Sequence, residues 1–557
     1  LGAVDREHVQ QRVRHESEDP QRDPEAGRSG VPPGPLRPPS REPPARPPEH
    51  RPANEPERQP VRHAAMHEQL AGRVEKRVRE DVEVGKRSRH GTPERRSAPD
   101  TRPGHRLADG GTEHGLRERI HGRGRGSQER DAPAAPTATD PGCRIFSPPP
   151  SIPPFPPLSA MPLCLFEDDR VGRLAPLTLT RAVFDLRVGA RTLLEGAVDV
   201  FQPSRLVLQT RTPLAGVTAQ EHPETAVREA ALGGTLFVNG RWLVRGGEVA
   251  DAVKAAERTG EARAFVQDGV LLALVHPDPP AALLSRDAIG IEQAAGVPEE
   301  RVEGEVLVGE LEDLIADLGA RIAHDAEAMG GLGTHAGTVE DGAILIEPDR
   351  IHLAAGAVVR AGAIVRADDG PVWIGADAEV GENAVVKGPV YLGPKAVVHA
   401  AARVDESALG YWSKVGGQVH ASVLHSLSSK GHDGYLGNST LGRWCNLGAD
   451  TNTSNLRNDY GEVSLWDPEA GAFRPTGRQF MGLVMGDHSK CAIGTMFNTG
   501  TVVGVSCNLF GAGFPPRHVP SFAWGGADGL VPYRTEKAFR VAEAVMARRE
   551  RSLTEDE

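Results

Sequence analysis

Aliphatic side chains recur at every sixth residue in the middle of the chain. The pattern starts at Leu353 and has nine members, with one slip of three residues. The members are Leu353, Val359, Val365, Ile374, Val380, Val386, Leu392, Val398 and Val404. A period of six fits neither the 3.6-residue turn of an α-helix nor the simple alternation of a strand, so each step is best explained as one short strand and a corner.

Small side chains stand four residues after nearly every aliphatic position, as a tight corner requires. These positions are Ala357, Ala363, Asp369, Ala378, Ala384, Val390, Ala396, Ala402 and Ala408, and Asp369 falls in the slip. Three steps make one triangular coil, so the pattern predicts an all-β left-handed parallel β-helix of hexapeptide repeats over residues 336–530. Stacking between coils explains every aliphatic position, and we therefore expect function where the repeat is interrupted.

The first 160 residues have a different composition. They hold 28 basic and 24 acidic residues, a net charge of +4, with no Trp or Tyr and with runs of proline. A segment with so few large apolar side chains cannot offset the entropy of ordering its backbone. We expect residues 1–160 to be a disordered low-complexity extension, and we hypothesise that translation begins at Met161. The alternative, a basic tail that binds nucleic acid, is weakened because its charges nearly cancel.

The remaining residues carry 36 basic against 52 acidic side chains, a net of −16. An acidic body argues against nonspecific binding of nucleic acid. No stretch is apolar for long enough to span a bilayer, and no signal peptide is recognisable. The five cysteines show no metal-ligand spacing, and we expect no metal site formed by them. These features predict a cytoplasmic enzyme.

Residues 161–335 alternate short apolar runs with helix-like stretches. The predicted strands are 163–166, 205–209, 235–244 and 263–275, and the predicted helices are 191–200, 222–231, 249–258 and 309–323. This βαβ rhythm predicts an open three-layer α/β (Rossmann-like) domain. The end of the chain, 531–557, is predicted to form a helix over 535–549 and a tail.

The start of this α/β segment resembles the opening of sugar-nucleotide pyrophosphorylases, and more specifically a divergent bacterial sugar nucleotidyltransferase-like branch. The resemblance rests on Gly172, Arg173, Pro176, Leu177 and Arg181. It implies a nucleotidyltransferase-like domain that uses a nucleoside triphosphate and Mg²⁺. It further implies that Arg173, Arg181 and Asn239 bind nucleotide or phosphate.

Two departures from that family leave the activity of this domain open. Acidic residues 167–169 replace the glycines whose N–H groups would surround a triphosphate. Asn239, a weaker ligand for Mg²⁺, replaces an aspartate. A retained fold with another role, such as substrate capture or trimer packing, stays an alternative.

The hexad repeat is interrupted between Ser426 and Asn458 by a stretch dense in polar residues. It resumes with Met485, Cys491, Phe497, Val503 and Leu509. The interruption resembles the acetyltransferase half of the bifunctional N-acetylglucosamine-1-phosphate uridyltransferase / glucosamine-1-phosphate acetyltransferase family. The spacings of His432, Tyr435, Asn446 and Asn455 carry the resemblance, together with Met485-Gly486-Asp487.

An amine attacks a thioester only when it is unprotonated, so a neutral imidazole is a suitable general base, and we assign this role to His432. The resemblance implies that Tyr435, Asn446 and Asn455 hold the sugar phosphate, while Lys430 supplies charge to its phosphate. It also implies that acetyl-CoA binds the coils from Met485 onward and that the protein is a homotrimer. The predicted function is acyl-CoA-dependent N-acetyltransfer to an amino-sugar phosphate in nucleotide-sugar biosynthesis, with possible nucleotidyl transfer.

The sequence also departs from this second family, since no Lys or Arg lies between Gly416 and Ser426, where the family has a phosphate-binding lysine. The acceptor can therefore differ from glucosamine-1-phosphate. One alternative is a γ-type carbonic anhydrase, with zinc held by His399, His420 and His425. Another is a trimeric scaffold whose sites have decayed.

Overall fold

The computed structural model describes residues 161–229, 233–280, 283 and 285–556. The predicted N-terminal extension and Cys143 lie outside these residues. All of the described residues fall in one unit that spans 135–557. The domain boundaries given above stay predictions.

The α/β domain is built on a seven-stranded sheet. Its strands are β1 (Leu163–Phe166), β2 (Leu206–Gln209), β3 (Ala226–Val227), β4 (Thr235–Asn239), β5 (Arg263–Gln267), β6 (Val270–His276) and β7 (Glu299–Arg301). The spatial order is β3-β2-β1-β4-β6-β5-β7. Strand β1 lies parallel to β2 and β4, while β6 is antiparallel to β4 and β5. The carboxyl ends of β1 and β4 therefore mark the edge at which sheets of this kind bind ligands.

Within the described residues, four helices with given bounds accompany this sheet. They are α1 (Leu193–Phe201), α2 (Ala215–Glu221), α3 (Glu248–Thr259) and α4 (Leu318–Met329). The predicted helix 222–231 is wrong over its described part, because α2 ends at Glu221 and β3 follows. The predicted strand 263–275 is a hairpin of β5 and β6. Asp268 and Gly269 make its turn with φ of +50° and +75°, as the Asp-Gly pair favours.

The second part of the chain is the triangular prism that the hexads predict. Its elements begin with β8 (Thr338–Val339), β9 (Ile344–Ile346), β10 (Ile351–Leu353), β11 (Val358–Val359), β12 (Ile364–Arg366), β13 (Val372–Ile374), β14 (Glu379–Val380), β15 (Val385–Lys387), β16 (Val390–Leu392), β17 (Val397–Val398), β18 (Arg403–Asp405), β19 (Ala408–Leu409), β20 (Lys414–Val415), β21 (Gln418–His420) and β22 (Val423–Ser426). They continue with β23 (Ser429–Lys430), β24 (Tyr435–Gly437), β25 (Thr440–Arg443), β26 (Asn446–Leu447), β27 (Asn452–Thr453), β28 (Ser464–Asp467), β29 (Ala472–Pro475), β30 (Leu483–Met485), β31 (Lys490–Cys491), β32 (Met496–Phe497), β33 (Thr501–Val503), β34 (Asn508–Leu509), β35 (His518–Val519), β36 (Ala523–Gly526), β37 (Gly529–Pro532) and the helix α5 (Thr535–Ala547).

The prism strands form three faces of parallel strands. The first face runs β10-β13-β16-β19-β22-β25-β30-β33-β35, and the third runs β9-β12-β15-β18-β21-β24. The second face runs from β8 through β11, β14, β17, β20, β23, β26, β31 and β34 to β36, and β37 closes it as an antiparallel strand. All nine aliphatic members of the repeat are at most 1 % exposed. The predicted fold, a Rossmann-like domain followed by a left-handed parallel β-helix, is confirmed.

Two additions decorate the prism. The hairpin of β28 and β29 is inserted between β27 and β30, at the interruption of the hexads. Helix α5 packs through Met546 against Leu427 and Trp444. No helix among the described residues combines the length and the apolar composition needed to cross a membrane.

Candidate active site

A shortened corner opens a cleft in the prism at the interruption of the repeat. Four residues connect the second face to the third at 399–402 and again at 431–434, whereas only Gly416 and Gly417 connect β20 to β21. The missing bulk leaves a cleft of about 480 Å³, which we call the corner cleft. It is lined by His399, Ala400, Gly416, Gly417, Gly431, His432, Asp433, Ala449 and Asp450.

Both residues of the short corner need to be glycine. A Cβ on Gly416 would lie 2.6 Å from the carbonyl oxygen of Gly431. Gly417 has a φ of +66°, and a Cβ there would lie 2.6 Å from the carbonyl oxygen of Gly434. The corner cleft therefore depends on backbone that other residues cannot adopt without displacing the next coil.

Two imidazoles border the corner cleft. His432 is exposed, and His399 is half-buried in a coil nearer the start of the prism. Neither ring has a hydrogen-bond partner within the part of the chain that the structure describes. Burial lowers the pKa of His399, and the positive charge of Lys414 lowers it further. The cleft thus holds the neutral imidazole of His399 beside His432, the predicted base. The position of His399 at this site was not predicted from the sequence.

Lys430 lies in a different place from the one its predicted role requires. It takes an inward position of β23, paired with Val415 of β20, where the repeat otherwise has an aliphatic residue. Its Nζ donates to the carbonyl oxygens of His432, at 2.5 Å, and of Asp433, at 3.1 Å. Burial lowers its pKa to about 8. In this position Lys430 holds the corner that carries His432 in place, and its predicted contact with a phosphate stays a prediction.

The other predicted residues lie on two faces that meet at this corner. Tyr435 belongs to the third face, and the Nδ2 of Asn455, which follows β27, donates to its hydroxyl at 3.1 Å and to Oδ1 of Asn438 at 2.7 Å. Burial raises the pKa of Tyr435. Asn446 is exposed on the second face, beside Ser429. The structure therefore joins Tyr435 to Asn455 and leaves Asn446 apart from them.

The three histidines of the carbonic anhydrase alternative do not form a ligand set. His420 lies on the third face, where its Nδ1 is 2.9 Å from Oδ2 of Asp405. His425 is buried on the first face, and both its nitrogens are engaged, by the carbonyl of Leu441 and by the N–H of Arg187. His399 lies at the corner cleft. Groups of three or more possible metal ligands are not found within the described ranges.

Ion pairs within the chain fill the edge of the α/β sheet at which a nucleotide was predicted to bind. Glu167 accepts from Nε of Arg211 at 3.0 Å and from the hydroxyl of Thr210 at 2.8 Å. The two oxygens of Asp168 accept from Nε and Nη2 of Arg241, at 2.8 and 2.5 Å. Both carboxylates are almost fully buried. Arginines thus neutralise Glu167 and Asp168, two of the three acidic residues that stand in place of the family's glycines.

The three residues predicted to bind nucleotide or phosphate are also engaged elsewhere. Asn239 is buried and donates to Asp168 at 3.0 Å, and Arg173 pairs with Glu310. Arg181 is buried and pairs with Asp487 of the prism. Asn239 and Arg181 are therefore buried in contacts within the protein, whereas the side chain of Arg173 is 32 % exposed.

Fold and site together define a two-part protein, in which a Rossmann-like domain precedes a hexapeptide-repeat prism with imidazoles in a corner cleft. Residues 163–331 match the family described as sugar nucleotidyl transferase. A stretch of 90 residues is 33 % identical to the bifunctional protein GlmU of Methanocaldococcus jannaschii, and it covers 16 % of this chain and 21 % of that protein. The chain thus spans about a fifth of this curated relative.

Solved structures similar to the chain include two acyl-transferring enzymes. One is the polySia specific acetyltransferase NeuO, at 12 % identity and a TM-score of 0.19, covering 35 % of this chain and 86 % of that one. The other is the UDP-N-acetylglucosamine acyltransferase of Francisella novicida, at 12 % identity and a TM-score of 0.19, covering 38 % and 73 %. The family match and the GlmU match confirm the predicted resemblance to a divergent GlmU-like group and support a transferase.

Proposed function

We propose that the protein transfers an acyl group from acyl-CoA to the amino group of a sugar phosphate at the corner cleft. The carrying observation is the cleft itself, where His432 and His399 present unpartnered imidazoles within an otherwise aliphatic scaffold. A site for proton removal needs a base that substrate can reach, and both rings lie at the opening of the cleft.

In the proposed reaction, the amine nitrogen attacks the thioester carbonyl carbon while an imidazole nitrogen of His432 takes the proton that the nitrogen loses. The tetrahedral intermediate then breaks its carbon–sulfur bond and releases CoA as the thiolate. That thiolate accepts the proton from the imidazolium, which restores neutral His432. The products are an amide and free CoA thiol.

We also propose that the active form is a homotrimer. Tyr435 lies on the third face with Asn455 bonded to its hydroxyl, and Asn446 lies on the second face. Side chains on different outward faces of one prism can line a single pocket where neighbouring prisms meet. The predicted sugar-phosphate contacts would then come from more than one subunit.

Nucleotidyl transfer is the second candidate, favoured by the family match over 163–331. The positions of Glu167 and Asp168 argue against it, because Arg211 and Arg241 already neutralise these carboxylates. Asn239 likewise has its amide committed to Asp168 and to the carbonyl of Leu271. Mg²⁺ and a triphosphate would have to displace all of these contacts.

The test is a substrate screen that follows two products at once. Acetyl-CoA with glucosamine-1-phosphate, or with another amino-sugar phosphate, is expected to release CoA thiol in an acceptor-dependent manner. UTP with Mg²⁺ and N-acetylglucosamine-1-phosphate is expected to release no pyrophosphate. Release of pyrophosphate without release of CoA thiol would favour nucleotidyl transfer over acyl transfer. If no acceptor leads to release of either product, the scaffold alternative is favoured.

Replacing Lys430 by Met tests whether this lysine positions His432. Methionine suits an inward position of the prism, so the fold is expected to survive, while the corner loses two hydrogen bonds to its carbonyls. We expect kcat to fall about 10-fold or more, with the Kd for the sugar phosphate nearly unchanged. A lysine that bound phosphate would instead raise that Kd and leave kcat at saturation largely intact. Titration calorimetry and thiol release separate the two outcomes.

A further inference from the structure

Three cations lie together on the second face, next to the corner cleft. Lys414 projects outward from β20, whose other residue, Val415, is in the core. Arg548 and Arg549 directly follow α5. Burial lowers the pKa of Lys414, and the charges of Arg549 and Arg548 lower it further. The described residues provide no ion pair for any of the three. The aromatic ring of Trp412 beneath the guanidinium of Arg549 offsets part of their mutual repulsion.

The arginines are held in place by the packing of α5. Met546 is 1 % exposed and lies against Leu427 and Trp444. The guanidinium of Arg549 lies over the ring of Trp412, 4.9 Å from its centroid. Burial and the neighbouring Arg548 both lower the pKa of Arg549. The packing of α5 thus holds the guanidinium of Arg549 on Trp412, two residues from Lys414, with no acidic partner among the described residues, and this arrangement suits an anion.

We propose that Lys414, Arg548 and Arg549 form a binding site for a phosphate group, which we call the cationic site. Guanidinium groups bind phosphate oxygens in pairs and an ammonium adds a compact charge, so this set suits a phosphate with several free oxygens. Along the same face, Ser429 and then Asn446 follow Lys414 in the ladder. Their hydroxyl and amide groups extend the polar surface of the second face. Asn446, which was predicted to hold the sugar phosphate, lies on this surface.

The cationic site borders the corner cleft, because Lys414 pairs with Val397 in the ladder and the cleft-lining residues His399 and Gly416 lie two positions further along these two strands. Which molecule brings the phosphate rests on the proposed function. Acyl-CoA carries a pyrophosphate and a 3′-phosphate, and the acceptor carries a sugar phosphate. The cationic site supplies positive charge that the segment from Gly416 to Ser426 lacks.

The test uses the full chain and its triple variant, Lys414→Gln with Arg548→Gln and Arg549→Gln. The control is Arg366→Gln, which removes an exposed arginine paired with Asp368 on the third face. Inorganic pyrophosphate is the first probe, because its binding does not depend on any acyl transfer. We expect titration calorimetry to show saturable binding that weakens with added salt, with a Kd at least 10-fold higher in the triple variant and unchanged in the control. Pyrophosphate binding that is equal in all three proteins overturns the site.

CoA, 3′-dephospho-CoA and glucosamine-1-phosphate are the next probes, and they identify the source of the phosphate. A loss in the triple variant for CoA but not for dephospho-CoA assigns the site to the 3′-phosphate of the donor. A loss for both CoA forms assigns it to the donor pyrophosphate, and a loss for glucosamine-1-phosphate alone assigns it to the acceptor. If wild type binds pyrophosphate at this site but binds none of these three probes, the site stands and the proposed acyl transfer fails.

Discussion

Replacing His432 by Ala is expected to lower kcat for acyl transfer by about 10²- to 10⁴-fold, the range that a positioned general base contributes. The ring lies at the opening of the corner cleft without a hydrogen-bond partner among the described residues, so its loss leaves the packing of the prism intact. The Kd for acyl-CoA is expected to change little, because the substitution removes a proton acceptor and not a binding surface. Acceptor-dependent release of CoA thiol measures kcat, and titration calorimetry measures the Kd.

The matched control is His335→Ala, which removes an exposed histidine at the start of the prism. It is expected to keep the wild-type rate and the wild-type melting temperature. Added imidazole should restore part of the rate of His432→Ala, since a small base can occupy the vacated space, whereas a purely structural role would give no such rescue. Unchanged thiol release by His432→Ala would refute the assignment and direct attention to His399, the other imidazole of the cleft.

The architecture of the prism could be predicted because its determinants are local and periodic. Every hexad repeats the same requirement, an aliphatic residue inside and a small residue at the corner. A departure from the pattern at one position therefore does not change the predicted fold. The hairpin at 263–276 was missed as two strands, although Asp268 and Gly269 carry the usual signal for a tight turn. An uninterrupted run of apolar residues on both sides concealed that signal.

The spacing of the inward residues in the sequence indicates the shortened corner that forms the corner cleft. The inward residues Val415 and Val419 are four positions apart where the repeat requires six. This deletion of two residues is what brings His399 and His432 to one opening. The inward direction of Lys430 could be inferred from the same count, because it follows Val415 in the inward column.

The ion pairs that form at the predicted nucleotide-binding site could not be inferred from the spacing of residues. Arg181 and Asp487 are separated by 306 residues, and Arg241 and Asp168 by 73. No periodicity relates such positions, and arginine and aspartate are as compatible with phosphate and metal as with each other. Tertiary packing determines which partner each takes, within the α/β domain for Arg241 and between that domain and the prism for Arg181.

Replacing Arg181 by Met is expected to destabilise the folded protein by about 3–5 kcal/mol, the cost of removing one partner from a buried ion pair. Arg181 and Asp487 are both buried, and Asp487 also accepts from the hydroxyl of Thr180 and from the N–H of Arg443, each at 2.8 Å. In the variant those two donors remain, but the carboxylate keeps its negative charge without the guanidinium that faced it. Thermal unfolding at pH 7 should show a melting temperature lower by several degrees. The control Arg366→Met removes an exposed pair and should show no measurable change.

The pH dependence of the loss of stability in Arg181→Met tests whether an unpaired charge causes that loss. Burial alone would raise the pKa of Asp487, but Arg181 and then Arg443 hold it below the usual value of an aspartate. In wild type this carboxylate therefore stabilises the fold above about pH 4, and the contribution is lost as the pH falls through the lowered folded-state pKa. Without Arg181, burial raises the folded-state pKa, so acid protonates Asp487 in the folded variant and relieves the unpaired charge. The gap in melting temperature between wild type and Arg181→Met should accordingly be widest near pH 7 and should narrow as the pH is lowered toward 4. A gap that stays constant over this range would show that lost packing, and not an unpaired charge, causes the destabilisation.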